Sequence, residues 1–241
     1  SILFSLISFY YFRGNYGVGI SLILIFCLGV FFNERKAHYP MTIFIIVITV
    51  IVSIMAFRNT ELFDRFKFNA HDVAQNKNIY RFFSYGLVHA NTLHLIINMF
   101  VLYSFGRIVE QDFIALFGTT KGLFYYGFMY VAAIAFSTLP AYGKHKQDLF
   151  YNAVGASGAV AGVVFASILI RPTSKIALLL LPIPIPSPVF GLLFLVFSAY
   201  MAKRGKDNIG HDAHFWGALF GFVFPLLLKP ELFMHFLKNL F

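Results

Sequence analysis

The chain of 241 residues is 59% hydrophobic and 19% aromatic with only 12% charged residues, where a soluble domain carries about a quarter. Such a composition cannot clothe a surface in water, so the chain reads as a membrane protein. Its formal charge of +9 does not point to nucleic acid, because Lys and Arg sit in short loops between apolar runs and anionic lipid head groups are the expected partner; one Cys, Cys27, excludes an internal disulfide and a thiolate metal motif.

Two apolar stretches come first, 1–12 and 17–32, parted by Arg13-Gly14-Asn15 and closed by Asn33-Glu34-Arg35-Lys36. Residues 1–39 are read as a hydrophobic extension of one or two membrane or interfacial helices. No small-x-small cleavage site follows Phe32, so 17–32 is not read as a signal peptide. A spanning helix needs roughly 20 mostly apolar residues, and six runs meet that measure, at about 41–57, 84–106, 123–139, 153–170, 187–202 and 211–228. The loop 58–82 between the first two carries alternating charge and scattered aromatics and is expected to dip back into the interface. Residues 171–186 are cut by Pro182, Pro184 and Pro186, which remove donors that hydrocarbon cannot replace, so this segment belongs at the surface. The tail 229–241 is expected to form an amphipathic helix on the membrane. With 58–82 outside, ten Lys/Arg fall outside and nine inside, so charge bias sets no orientation.

A polar group left unpaired in hydrocarbon costs several kcal/mol, roughly, so the polar residues of the spans map the function. In HANTLHLIINMFVLY, His94 and Asn98 are four apart, about 40° on a helix, and aim at one point; His89 turns away by about 140°, nearer water, at the entrance. Interhelical hydrogen bonding or a transport site explains the same stretch. The fourth span opens with Gly155-Ala-Ser157-Gly158, a hydroxyl among residues that let another backbone approach, which helix packing alone would also favour. The sixth opens with His211-Asp212-Ala213-His214, and places His214, Gly217 and Gly221 on one face. That glycine groove suits the face of Ser157, Gly158 and Ala161, and docking them brings Ser157 to His214. The three signals then combine: a hydroxyl with its base, and His94, Asn98 and the Ser157 N–H as donors to an oxyanion.

In that arrangement, H-x4-H-x3-N at His89, His94 and Asn98, G-x-S-G at Gly155–Gly158 and A-H-x2-G-x3-G at Ala213–Gly221, the chain resembles the rhomboid family of intramembrane serine proteases over roughly 41–228. The resemblance implies an all-α polytopic membrane protein. Its six-transmembrane-helix core, 40–228, carries the hydrophobic extension 1–39 and the tail 229–241. It implies Ser157 as nucleophile, His214 as base, His94, Asn98 and Ser157 as the oxyanion hole, and His89 as a residue that retains water. Arg81, Glu110, Gly155, Gly158, Gly217 and Gly221 are read as structural support. Neither cofactor nor metal is implied, the substrates are membrane proteins with one or several spans, and the site opens to the outer face of the cell membrane. Trp216, at a position usually small in the family, is expected to face lipid.

Asp212, two residues from His214 and off its face, leaves a Ser157–His214 dyad rather than a triad. A proton-coupled transporter would need carboxylates inside the membrane that the spans lack. A zinc hydrolase would need H-E-x-x-H, and an aspartyl intramembrane protease two buried Asp residues; neither is present. A catalytically idle relative that binds or escorts membrane helices differs only in whether Ser157 reacts.

Overall fold

The computed structural model describes residues 39–178, 181–204 and 210–240; of the expected extension 1–39, all but Tyr39 lies outside them. Pro40 opens α1 (Pro40–Arg58) at a position where a helix has no use for an N–H. The free donors of that first turn are met from another helix: Glu110 of α5 (Thr92–Phe117) accepts from Met41 N at 2.9 Å and from Thr42 N and Oγ1 at 2.7 and 2.6 Å. A buried carboxylate thus serves as the cap that Tyr39 does not provide.

The loop 58–82 is folded. It forms α2 (Thr60–Phe66), β1 (Phe68–Asn69), α3 (Ala70–Asn76) and the single turn α4 (Arg81–Ser84), which runs into a 3-10 turn at Tyr85–Leu87. Asn59 and Asn69 cap the two short helices with their side chains, and Ile79, Tyr80 and Phe83 stay exposed, a lipid-compatible edge. Arg81 ties the loop together. Its Nη1 donates to the carbonyls of Asp64 and Lys67, and its Nε pairs with Asp72.

Asn91 caps α5 by accepting from His94 N at 2.9 Å, and α6 (Thr119–His145) returns antiparallel. After β2 (Asn152–Ala153) comes α7 (Ser157–Ile170), buried from Gly158 to Leu169 and enclosed by its neighbours. Fourteen residues reach only about 21 Å, well short of a hydrocarbon core of about 30 Å. The start of α7 is recessed. Gly158 lies against Ser137 of α6, which continues to His145, roughly 12 Å further on at 1.5 Å per residue.

The proline-rich stretch forms a hairpin of β3 (Lys175–Leu178) and β4 (Leu181–Pro186), pairing Lys175 with Pro186, Ile176 with Ile185 and Ala177 with Pro184. Prolines at alternate positions can turn their missing donors away from the partner strand, so a segment read only as surface carries ladder structure. A second pair, Phe68 with Ala153 and Asn69 with Asn152, fastens the folded loop to the chain entering α7.

The helices α8 (Ser187–Arg204) and α9 (His211–Leu228) follow, and α10 (Glu231–Lys238) leaves α9 at 117°. Among the described residues the fold is helical, with two antiparallel strand pairs and no closed sheet. The six apolar runs of the sequence correspond to α1, α5, α6, α7, α8 and α9. Among the described residues, α1, α5 and α6 are each long and apolar enough to cross a membrane, and α9 with α10 makes a fourth if that bent pair is one span.

Candidate active site

Two glycines of α9 set its distance from α7. A Cβ at Gly217 would overlap the carbonyl of Gly158, and one at Gly221 would overlap Gly162. The backbones therefore touch, which only small residues allow. This seam carries the first turn of α9 to the start of α7, and places His214 Nε2 2.8 Å from Ser157 Oγ. A hydroxyl in hydrogen-bond contact with an imidazole is the pairing from which an activated nucleophile is made.

Gly155 holds the turn before Ser157. Its φ of +103° is a left-handed conformation that side chains disfavour, and a Cβ there would come within 2.5 Å of His94 Cε1 and 2.9 Å of its Nε2. His94 is thus laid across the backbone two residues before Ser157. Asn98, one turn below, is buried and gives one amide proton to the His94 carbonyl at 2.9 Å, leaving its second proton to donate elsewhere. Ser157 is the first residue of α7, so its N–H has no acceptor within the helix. The Ser157 hydroxyl and N–H thus lie at the start of a short helix, with the His94 ring against the turn two residues before it.

His89 departs from the sequence reading. Placed there beside water at the entrance, it is fully buried here with both ring nitrogens occupied. The Ala156 N–H donates to Nε2 at 3.4 Å, which leaves the proton on Nδ1 to donate to Ser53 Oγ at 2.9 Å; Ser53 passes its own proton to the Leu87 carbonyl at 2.8 Å. The ring edge also meets His94, centroids 5.0 Å apart. The reason is topological: residues 85–91 fold over the turn Gly155–Ala156, and Gly155 N donates to the Tyr85 carbonyl at 3.0 Å. His89 is thus bound into the turn rather than set at a mouth.

Arg81 and Glu110 lie apart from this centre, in the folded loop 58–82 and at the first turn of α1. Asp72 beside Arg81 is subject to burial, which raises a carboxyl, but hydrogen bonds from Asn78 and Asn76 and the Arg81 charge hold it below its ordinary range. A cavity of about 460 Å³, lined by Asp64, His71, Asp72, Arg81 and Phe150 among others, belongs to this loop and does not reach Ser157 or His214. Asp212 lies 3.9 Å from Lys144 Nζ, and its charge adds to burial in raising the Tyr151 hydroxyl. Trp216 is half-buried against Phe215. Among the described residues no three His, Cys, Asp or Glu side chains are grouped as a metal site requires.

Sequence reasoning passed over Ser53 and Ser137. Ser137 is fully buried at the α7–α9 seam, where its Oγ would meet a Cβ at either Gly158 or Gly217. Both were polar residues in apolar runs, the same signal that marked His94 and Asn98.

Fold and site define an integral membrane protein of packed apolar helices with a hydroxyl–imidazole pair recessed among them. The Rhomboid domain model matches residues 76–231, and the chain belongs to the rhomboid family. The match begins later than the 41–228 read from the motifs; it contains His89, His94, Asn98, Ser157 and His214 but not Ser53. Over 138 residues, 54% of this chain, it is 27% identical to RHOMBOID-like protein 12, mitochondrial, of Arabidopsis thaliana, and the aligned stretch is 40% of that protein's length.

Proposed function

We propose that the chain is an intramembrane serine endopeptidase that cleaves membrane proteins with one or several spans in or near their transmembrane helices. The observation that carries the reading is the 2.8 Å contact between Ser157 Oγ and His214 Nε2 at the start of a helix too short to span a hydrocarbon core. In the mechanism, His214 Nε2 accepts the Ser157 proton as Oγ attacks a peptide carbonyl. The oxyanion is held by Ser157 N–H, the free amide proton of Asn98 and the His94 ring. His214 then gives its proton to the leaving amine, and water, deprotonated by the same imidazole, releases the acyl group. A substrate helix hides its carbonyls in its own hydrogen bonds, so it must unwind at the site, and residues with poor helix propensity ease that step.

The same proposal takes α1, α5, α6, α7, α8 and α9 as six spans, with the core at 40–228 and the tail 229–241 on the membrane. Lipids and the substrate are its partners, and no cofactor or metal takes part. It places the chain in the cell membrane with the Ser157 end outward; the printed name of the Arabidopsis relative places that protein in mitochondria, so fractionation of tagged cells decides the compartment. The experiment on activity is incubation of the purified chain with a single-span substrate beside a Ser157→Ala control. Cleavage that disappears in the control supports the reading, and none from either favours an idle helix-binding relative.

A further inference from the structure

Of the long helices, α8 encloses least. Val189, Leu192, Leu193, Val196 and Tyr200 are each about half exposed, and only Ser187, Gly191 and Ser198 are buried. Yet it touches the site at two points one turn apart. Phe194 lies on the His214 ring with centroids 6.2 Å apart at 34°, and Phe197 meets His211 edge-on at 5.7 Å and 82°. His211 and His214 are themselves one turn apart and meet at 6.0 Å and 83°. Because α8 and α9 run antiparallel, Phe194 and Phe197 in ascending order match His214 and His211 in descending order, and the four rings form a row, Phe194–His214–His211–Phe197. All three separations are within the 4.5–7 Å at which ring pairs attract.

Phe194 does not stand alone. It packs on Phe165 of α7 at 5.6 Å and on Phe190 at 6.0 Å, so the row is braced against the helix that begins with Ser157. The His214 side chain has three staggered χ1 wells open in principle, whereas contact with Ser157 needs one of them. We infer that Phe194, backed by His211 and Phe197, is a positioning residue: it holds the His214 ring in the rotamer that meets Ser157, and so makes the lipid-exposed α8 a support of the proposed base. This rests on the proteolytic reading for its effect on rate, but not for its effect on the ring.

The test uses the full chain in lipid vesicles and reads two quantities. The first is the rate at which a fluorophosphonate labels Ser157, with kcat and KM on a single-span substrate beside it. Phe194→Leu, which keeps apolar bulk but not the ring, should label about three- to tenfold more slowly, with the loss in kcat. Phe194→Tyr and His211→Phe, which keep a ring, should stay within about twofold, and Leu192→Ala, on the lipid side of the same helix, should match wild type. Wild-type labelling of a folded Phe194→Leu, or an equal loss in Phe194→Tyr, overturns the inference. The second is a crystal structure of Phe194→Leu, which needs no reactivity: His214 should leave Ser157 or divide between two rotamers, and a ring fixed at wild-type distance overturns the inference. No labelling of wild type with a displaced ring in the variant would instead overturn the proteolytic reading and leave the ring's support standing.

Discussion

The seam between α7 and α9 and the seam between α1 and α5 hold helices together by opposite means. At the first, Gly158, Gly162, Gly217 and Gly221 contribute no side chains, and backbone meets backbone. At the second, Thr42 and Ser53 of α1 reach across to Glu110 and His89. Lipid offers helices no hydrophobic reason to associate, so close packing and hydrogen bonds are the two available means. The glycine seam fixes a distance and admits no substitution, as the Ser157–His214 contact requires. The polar seam fixes partners and tolerates small shifts. It serves to carry α1 and, through His89, the turn before Ser157.

Breaking the glycine seam should therefore have the largest effect. Gly221→Leu or Gly217→Leu must wedge α7 from α9, and overpacking of 1–3 kcal/mol, roughly, is a lower bound where backbone is struck. Both stability in a thermal melt and labelling of Ser157 should be lost together. Wild-type stability in either variant would break the comparison at its stronger side.

At the polar seam, Glu110→Ala should leave the first turn of α1 without its acceptor, and each buried group so orphaned costs about 1–3 kcal/mol. Because this end is far from Ser157, the melting temperature should fall while the labelling rate of the surviving folded protein stays near normal. A selective loss of labelling would mean that the α1 seam shapes the site directly.

His89→Ala sharpens the contrast, since it removes a hydrogen bond from the turn and not from the reacting groups. Losing a typical hydrogen bond of about 1 kcal/mol predicts a several-fold fall in labelling rate, below the 10²–10³ in rate expected for Asn98→Ala if Asn98 is an oxyanion donor. Equal losses would place His89 at the chemistry after all.

The smallest effect concerns the folded loop 58–82. With the folded carboxyl of Asp72 below its ordinary range, its contribution is complete above the unfolded value of about 3.9 and is lost as pH falls from there through the folded one. Thermal melts of wild type should weaken across that acidic window more than those of Asp72→Asn, and parallel curves would exclude the linkage.

Much of this was legible in the chain. Apolar runs located the six principal helices, and the three- and four-residue spacing of His214, Gly217 and Gly221 gave the face that meets α7, because periodicity along one helix is a local property. His89 was misplaced because its partners come from two other segments, Ser53 of α1 and Ala156 before α7, neither of which its own spacing reveals. The proline hairpin was missed for a related reason, since composition marks prolines as breaks and only the partner strand makes them an edge. Phe194 and Phe197 were invisible in a run where nearly every residue from Val189 to Met201 is apolar.

The most direct measurement is fluorophosphonate labelling mapped by mass spectrometry. Ser84, Ser104, Ser167 and Ser198 also lie within or beside the helices, but only a serine beside a base and facing oxyanion donors should react. The account predicts adduct at Ser157 alone, absent in Ser157→Ala and sharply reduced in His214→Ala. Adduct at another serine, or undiminished labelling of His214→Ala, would contradict it.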